Sequence, residues 1–256
     1  MTQNHPIAPD PASQAVAGAT LNHAASDGEA TVNSVAVQTY AELHCISNFT
    51  FLRGASFPEE LVDRADSLGY SAIAITDECS LSGVVKAHMA AKERRIKLIV
   101  GSEFVLRDTL VDVADEAVTG DIDYELRIVL LAANRKGYGE LSHLITCARR
   151  RAKKGEYRID RKLLADNFPS DCMLLWVPEL KHPDACIESQ ASYLRALSPD
   201  KLWIAAELLL RGDDRVRLGR LQKLGERFAI PLCAAGASIC MRPSVASCKT
   251  RSQQYV

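Results

Sequence analysis

The chain lacks several things that would have narrowed its role at once. It has no run of the roughly 20 apolar residues that a membrane span requires, so no spanning helix is expected. Its first 36 residues hold no Lys or Arg and no continuous apolar core, which excludes a secretory signal. No CxxC pair occurs among its eight cysteines, so a zinc ribbon does not fit, and their place in apolar runs suits reduced, buried thiols. The charge balance is near zero, at -1, so global charge points to neither a nucleic acid nor a membrane surface. Cytoplasmic placement is the default. What is present is apolar content of 47% over 256 residues, enough for a substantial core.

Residues 1–36, rich in Ala, Ser, Asn, Thr and Pro, read as a disordered tail. Order is expected from Val37. Beyond it, short apolar runs alternate with segments of helical period. Thr39 to Leu43, Ser71 to Thr76, Lys97 to Val100, Arg127 to Ala132, Cys172 to Val177, Leu202 to Glu207 and Ile230 to Ala234 read as strands. Ser56-Phe-Pro-Glu59 fits a capping box ahead of Leu61, Ala65 and Leu68. Ser80 is a candidate cap for a helix to Arg95, and Asp213 or Asp214 for one carrying Leu218, Leu221, Leu224 and Phe228. Tyr138 to Arg150 also has helical period, and the acidic Asp108 to Tyr124 reads as a surface excursion. About seven strands alternating with helices predict a parallel α/β sheet or barrel.

Three segments share one layout, an apolar run ending in polar, metal-capable side chains. They are Tyr40-Ala-Glu-Leu-His-Cys-Ile-Ser-Asn-Phe-Thr-Phe-Leu-Arg-Gly-Ala-Ser56, Ala74-Ile-Thr-Asp-Glu-Cys-Ser-Leu-Ser-Gly83 and Leu98-Ile-Val-Gly-Ser-Glu-Phe104. A parallel β/α protein builds its site at such strand ends. With Leu130-Leu-Ala-Ala-Asn-Arg-Lys-Gly-Tyr138, these segments resemble the amino-terminal polymerase-and-histidinol-phosphatase (PHP) domain of bacterial C-family DNA polymerases. The wording is most similar to the error-prone, damage-tolerant branch, a relative of the polymerase III alpha subunit. The resemblance runs from about Tyr40 to Gly236 and implies a distorted seven-stranded parallel β/α barrel, residues 37–236 forming the domain.

Active members of that family hold a cluster of metal ions at the barrel mouth. Carried across position by position, His44 matches the first histidine of the family's His-x-His and Glu103 matches its glutamate. These two are the candidate metal ligands. Ile46 stands at the partner histidine, Arg53 at an aspartate, Glu78 at a histidine and Arg127 at another histidine. Two arginines oppose a bound cation. Each residue also has a structural reading: His44 as a hydrogen-bonded histidine at a strand end, Asp77 as a cap on the turn after its strand, Glu103 as a partner of Arg53 or Arg127. The expectation is a site that replaced its metals with arginine–carboxylate bridges, with no catalytic residue and no cofactor in this chain. Zinc or manganese is what a retained site would take, and magnesium belongs to the full-length polymerase family.

The basic run Arg149, Arg150, Arg151, Lys153 and Lys154 reads as a solvated helix end or as a contact for DNA or a neighbouring domain. The partners implied by the resemblance are the remainder of the polymerase, DNA and DNA-repair proteins, with no membrane. After Gly236 the family pattern continues Asp-Val-His-Met-His, whereas this chain reads Ala237-Ser-Ile-Cys-Met241. Deleting one base from GGC GAC GTC CAT ATG CAT G yields Gly-Ala-Ser-Ile-Cys-Met, so residues 237–256 are expected to be an off-pattern, frameshifted tail of a truncated polymerase. Two other functions stay open on the residues alone: a metal-dependent phosphoesterase or 3'→5' exonuclease, and a DNA- or partner-binding module.

Overall fold

The computed structural model describes residues 40–109, 123–209 and 212–236. The expected tails at 1–36 and 237–256, and most of the Asp108–Tyr124 excursion, lie outside the described residues. Seven strands make one sheet whose spatial order follows the chain: β1 (Ala41–Glu42), β2 (Ala72–Ile75), β3 (Lys97–Thr109), β4 (Asp123–Ala132), β5 (Cys172–Val177), β6 (Leu202–Glu207) and β7 (Leu232–Ala235). Among the described residues six helices accompany them: α1 (Pro58–Ser67), α2 (Val84–Arg94), α3 (Arg135–Arg150), α4 (Arg161–Asp166), α5 (Asp184–Leu197) and α6 (Asp214–Phe228).

The expected parallel β/α barrel is present with one exception, β4, which runs antiparallel to both β3 and β5. The reason is the connection. Thr109 pairs with Asp123, so the end of β3 lies beside the start of β4, whereas a parallel neighbour would begin at the other end of β3. β3 and β4 are also longer than their apolar runs, because their outer halves hydrogen-bond to each other as a two-stranded extension. The other ladders are parallel.

Alternation sorts the side chains into two layers. On the inner face, Leu43, Ala74, Val129, Leu131, Leu175, Val177, Ala205, Cys233 and Ala235 form one buried cluster. It links the first strand region to the last, so the sheet curls towards a barrel. Its closing contact is polar: the Gly236 amide donates to the buried Glu42 carboxylate at 2.9 Å. On the outer face, Phe104, Leu106, Leu126, Ile128, Leu130, Leu174 and Trp176 pack against Leu141, Leu144, Leu163, Leu194 and Leu221 of the helices. A smaller cluster seats Leu61, Val62 and Ala65 of α1 and Ala87 and Ala91 of α2 on Ile73 and Ile75.

The helix starts differ from the expected caps. α1 begins one residue later than the proposed box: Phe57 is its N-cap, and Glu60, not Glu59, accepts from the Phe57 amide at 3.0 Å. Ser80 bonds to Ser82, and Gly83 precedes α2 without a side-chain cap. Asp213 precedes α6 but makes no cap bond. α3 is capped well, since Asn134 accepts from the Gly137 amide at 2.9 Å. Gly137 must be glycine there, because a Cβ would lie 2.2 Å from the Asp171 carbonyl oxygen. Of the cysteines among the described residues, all are free thiols and only Cys147 is not buried.

Candidate site at the barrel mouth

Four chain segments deliver polar side chains to the carboxyl end of the sheet. His44 follows β1. Cys45 and Thr76 continue the pairing of β1 with β2, through Cys45 N to Thr76 Oγ1 at 3.0 Å and Thr76 N to the Cys45 carbonyl at 2.8 Å. Asp77 and Glu78 follow β2, and Glu78 forms an isolated bridge to Glu103 within β3. Glu207 ends β6.

His44 is 2% exposed and is gripped at both ring nitrogens. Nδ1 lies 2.6 Å from Glu207 Oε1, and Nε2 lies 2.7 Å from Glu103 Oε2. Burial works against its cationic form, but the bonds to Glu103 and then Glu207 outweigh it and lift its pKa to about 9. The histidine is therefore an imidazolium at neutral pH, donating from both nitrogens. Glu103 is fully buried, and its pKa falls to about 2: burial opposes that shift, while the bonds from His44 and Arg53 drive it.

Arg53 completes the cluster. Nη1 donates to Glu78 Oε2 and to Glu103 Oε1, each at 2.5 Å, and Nη2 donates to Glu103 Oε2 at 3.2 Å. A guanidinium held this way is a planar fork across a carboxylate. The remaining oxygen of Glu78, Oε1, accepts from the Tyr157 hydroxyl at 2.7 Å, and that hydroxyl accepts from the Val105 amide at 3.0 Å. Burial, followed by the neighbouring Glu78, raises the Tyr157 phenol far above its ordinary range. Asp77 faces away from this cluster. It accepts from the Ser47 amide and hydroxyl and from the Thr50 hydroxyl, at 2.7 to 2.9 Å. Burial outweighs these bonds, so its pKa rises.

These residues do not fit a metal cluster. Both nitrogens of His44 and both oxygens of Glu103 are occupied by protein partners, and a fixed guanidinium fills the gap between Glu78 and Glu103. Ile46 is buried and apolar. Among the described residues, no group of three or more His, Cys, Asp or Glu side chains is arranged to hold an ion. Arg127 sits at the same end of the barrel but pairs with Glu125 at 3.6 Å and not with Glu103. With Glu125, Glu207 and Arg217 it lines a cavity of about 270 Å³ of mixed charge.

The basic run divides. Arg149 is committed to structure, donating to the Cys79 carbonyl at 3.1 and 3.2 Å and lying over the Tyr157 ring. Arg151 pairs with Asp160 at 3.3 Å. Arg150, Lys153 and Lys154 are exposed. The sequence reading overlooked Glu207 and Tyr157 as site residues. Glu207 carried a usable signal, since it too is an acid closing an apolar strand. Tyr157 carried none, because its loop is brought to Glu78 only by the packing of α3.

The PHP domain family matches residues 42–211 of this chain. The chain is 49% identical over 201 residues to the error-prone DNA polymerase of Dechloromonas aromatica, and 48% identical over 195 residues to that of Methylococcus capsulatus. Those matches cover 77% and 76% of this chain but only 18% and 17% of the relatives, so the chain spans less than a fifth of their length. Among solved structures, an amidohydrolase from Chromobacterium violaceum with bound sulfate and no metal aligns with a TM-score of 0.53 at 14% identity, covering 78% of this chain and 87% of that one. A protein described as a metal-dependent phosphoesterase from Bifidobacterium adolescentis aligns at 0.50 and 16% identity, covering 80% and 90%. These two likenesses establish the mostly parallel near-barrel as a shared fold. A domain match spanning most of the barrel, together with close relatives that share its sequence across that region, makes this chain a member of the PHP domain family.

Proposed function

We propose that the chain is the non-catalytic PHP domain of an error-prone, damage-tolerant DNA polymerase and serves to pack against and stabilise the polymerase body. In that setting it contributes to DNA replication and translesion repair synthesis in the cytoplasm, while nucleotidyl transfer resides in parts of the relatives that this chain does not match. One observation carries the reading: the Arg53 guanidinium stands between Glu78 and Glu103, where it neutralises the acids that a metal cluster would need. Homology to error-prone polymerases supports the assignment of the body. His44 and Glu103 remain as residual ligand positions that now bond to each other.

A metal-dependent phosphoesterase or 3'→5' exonuclease is the rival, and occupation of every His44 and Glu103 donor speaks against it. Elemental analysis of the purified protein separates the two. The expected result is well under one zinc or manganese per chain and no phosphatase activity with added manganese. Two or more tightly bound ions per chain would overturn the proposal. A DNA-binding role through Arg150, Lys153 and Lys154 would instead show as binding that falls steeply with salt.

A further inference from the structure

Phe51 and Leu52 are the most exposed large apolar side chains among the described residues, at 83% and 80%. Single exposed apolar residues are ordinary on a protein surface. These two are adjacent, and they stand on a loop that is held in place from several sides. Leu52 has φ 65, in the left-handed region that a bulky side chain disfavours. Such a conformation persists only where its surroundings over-determine it.

The surroundings are on the page. Within the loop, Thr50 N donates to the Ser47 carbonyl at 3.0 Å, Gly54 N to the Thr50 carbonyl at 2.9 Å, and Asn48 N to the Ser56 carbonyl at 2.9 Å. A Cβ at Gly54 would lie 1.7 Å from the Ser47 carbonyl oxygen, so the loop closes tightly on itself. From the barrel, Asp77 holds Ser47 and Thr50, and the residue next to Leu52 is Arg53, locked onto Glu78 and Glu103. Phe57, which directly follows the loop, is a further exposed apolar group. Lys86 of α2 lies over the rings of Phe49 and Phe57, at 6.0 and 5.5 Å. The loop thus carries two adjacent exposed apolar side chains, with Phe49 and Phe57 next to them under a cation.

We infer that the His44–Glu103–Arg53 cluster acts as a clamp for the 47–56 loop, and that the loop presents Phe51 and Leu52 as anchors docking onto the body of a longer polymerase chain. This rests on the proposed function above. The occupant follows from the relatives, in which the matched segment is only 18% and 17% of the length, so a body several times larger than the barrel accompanies it there. A loop rigid before docking loses little conformational freedom on contact, which favours a lasting intramolecular interface over a transient one.

Hydroxyl-radical footprinting read by mass spectrometry tests this, because it reports side-chain accessibility directly. The samples are the 256-residue chain and a chimera in which its residues 42–235 replace the matching segment of the Dechloromonas aromatica polymerase. Phe51 and Leu52 should be oxidised at least fivefold more slowly in the chimera, while Val216, 67% exposed on α6, is offered as the internal reference. Equal oxidation of Phe51 and Leu52, with protection elsewhere on the barrel, overturns this inference and leaves the packing role standing. No protection anywhere on the barrel overturns both. Protection already present in the 256-residue chain and growing with its concentration assigns the patch to a second copy and also overturns the inference. A chimera that does not fold is replaced by the chain co-expressed with the remainder of that polymerase, read by the same footprint. As a second measurement, Phe51→Ser with Leu52→Asn should leave the Tm of the 256-residue chain within 2 °C. A larger loss would make these residues part of the barrel's own packing and end the docking argument.

Discussion

Replacing Arg53 by alanine is the sharpest test of the site. The substitution removes the cation from between Glu78 and Glu103 and leaves Glu103, with no exposed surface, facing His44 alone. Removing one partner of a buried ion pair costs about 3–5 kcal/mol, mostly because the other charge stays buried without compensation. Arg53 itself is 30% exposed, so water screens part of its interaction and the expected loss is nearer ~2–3 kcal/mol. For a body of roughly 200 residues, each kcal/mol moves Tm by about 2–4 °C, which gives a fall of about 5–10 °C. The assay is thermal melting by circular dichroism, with a double-mutant cycle against Glu103→Gln. A coupling of at least about 1 kcal/mol is expected between the two positions. Arg53→Lys should fall between wild type and alanine, since it restores charge but not the two-pronged geometry. A Tm change under 2 °C for Arg53→Ala would refute the reasoning, because it would mean that Glu103 is content without the guanidinium.

Two further outcomes follow from the same geometry. The raised His44 pKa makes stability pH-dependent: its contribution is complete below the unfolded value of 6.5 and is lost as pH rises through about 9. The lowered Glu103 pKa contributes above 4.5 and is lost as pH falls through about 2, so stability should be greatest between these limits, at pH 4.5 to 6.5. Urea titrations across pH should show the alkaline decline in wild type, and His44→Gln should flatten it; a variant with an unchanged slope would assign the decline to other groups. In the second, Ile46→His with Arg53→Asp puts a ligand back at two of the positions where the family pattern has one and removes one of the two arginines. The doubly substituted chain should gain a Tm increase with added zinc that EDTA reverses, whereas the parent should not respond; equal behaviour of the two would mean that these positions do not govern ion binding.

The barrel was legible in the sequence because its strands are short, apolar and bounded, as Ala72–Ile75 and Cys172–Val177 show. In the structure, neighbours in sequence are neighbours in the sheet. The direction of β4 was not legible. An apolar run such as Arg-Ile-Val-Leu-Leu-Ala has the same pattern whichever way it runs, and only the Thr109–Asp123 pairing decides it. At the site, the sequence offered Arg53 and Arg127 alike as partners of Glu103, and only the fold selects Arg53. The part played by Glu207 could not be weighed from one chain, because its distance from His44 in sequence is 163 residues and only closure of the sheet brings them together.

Closure also shows how these residues can balance their charges among themselves. Glu78, Glu103 and Glu207 gather where several strands end, and three carboxylates at such a place repel one another. A cationic His44 and Arg53 supply two positive charges, and the Tyr157 hydroxyl gives the remaining Glu78 oxygen a neutral donor. Each substitute is directional where an ion is not. His44 spans β3 and β6 through its two nitrogens, and Arg53 ties its own loop to β3 and to the turn after β2. A metal would bind in equilibrium with solution and leave the loop free when absent. The arginine is covalently part of the loop that it ties to Glu78 and Glu103. On the proposed reading, a mouth closed by its own side chains holds the neighbouring loop in one place, and that is the reason to look for its use at Phe51 and Leu52.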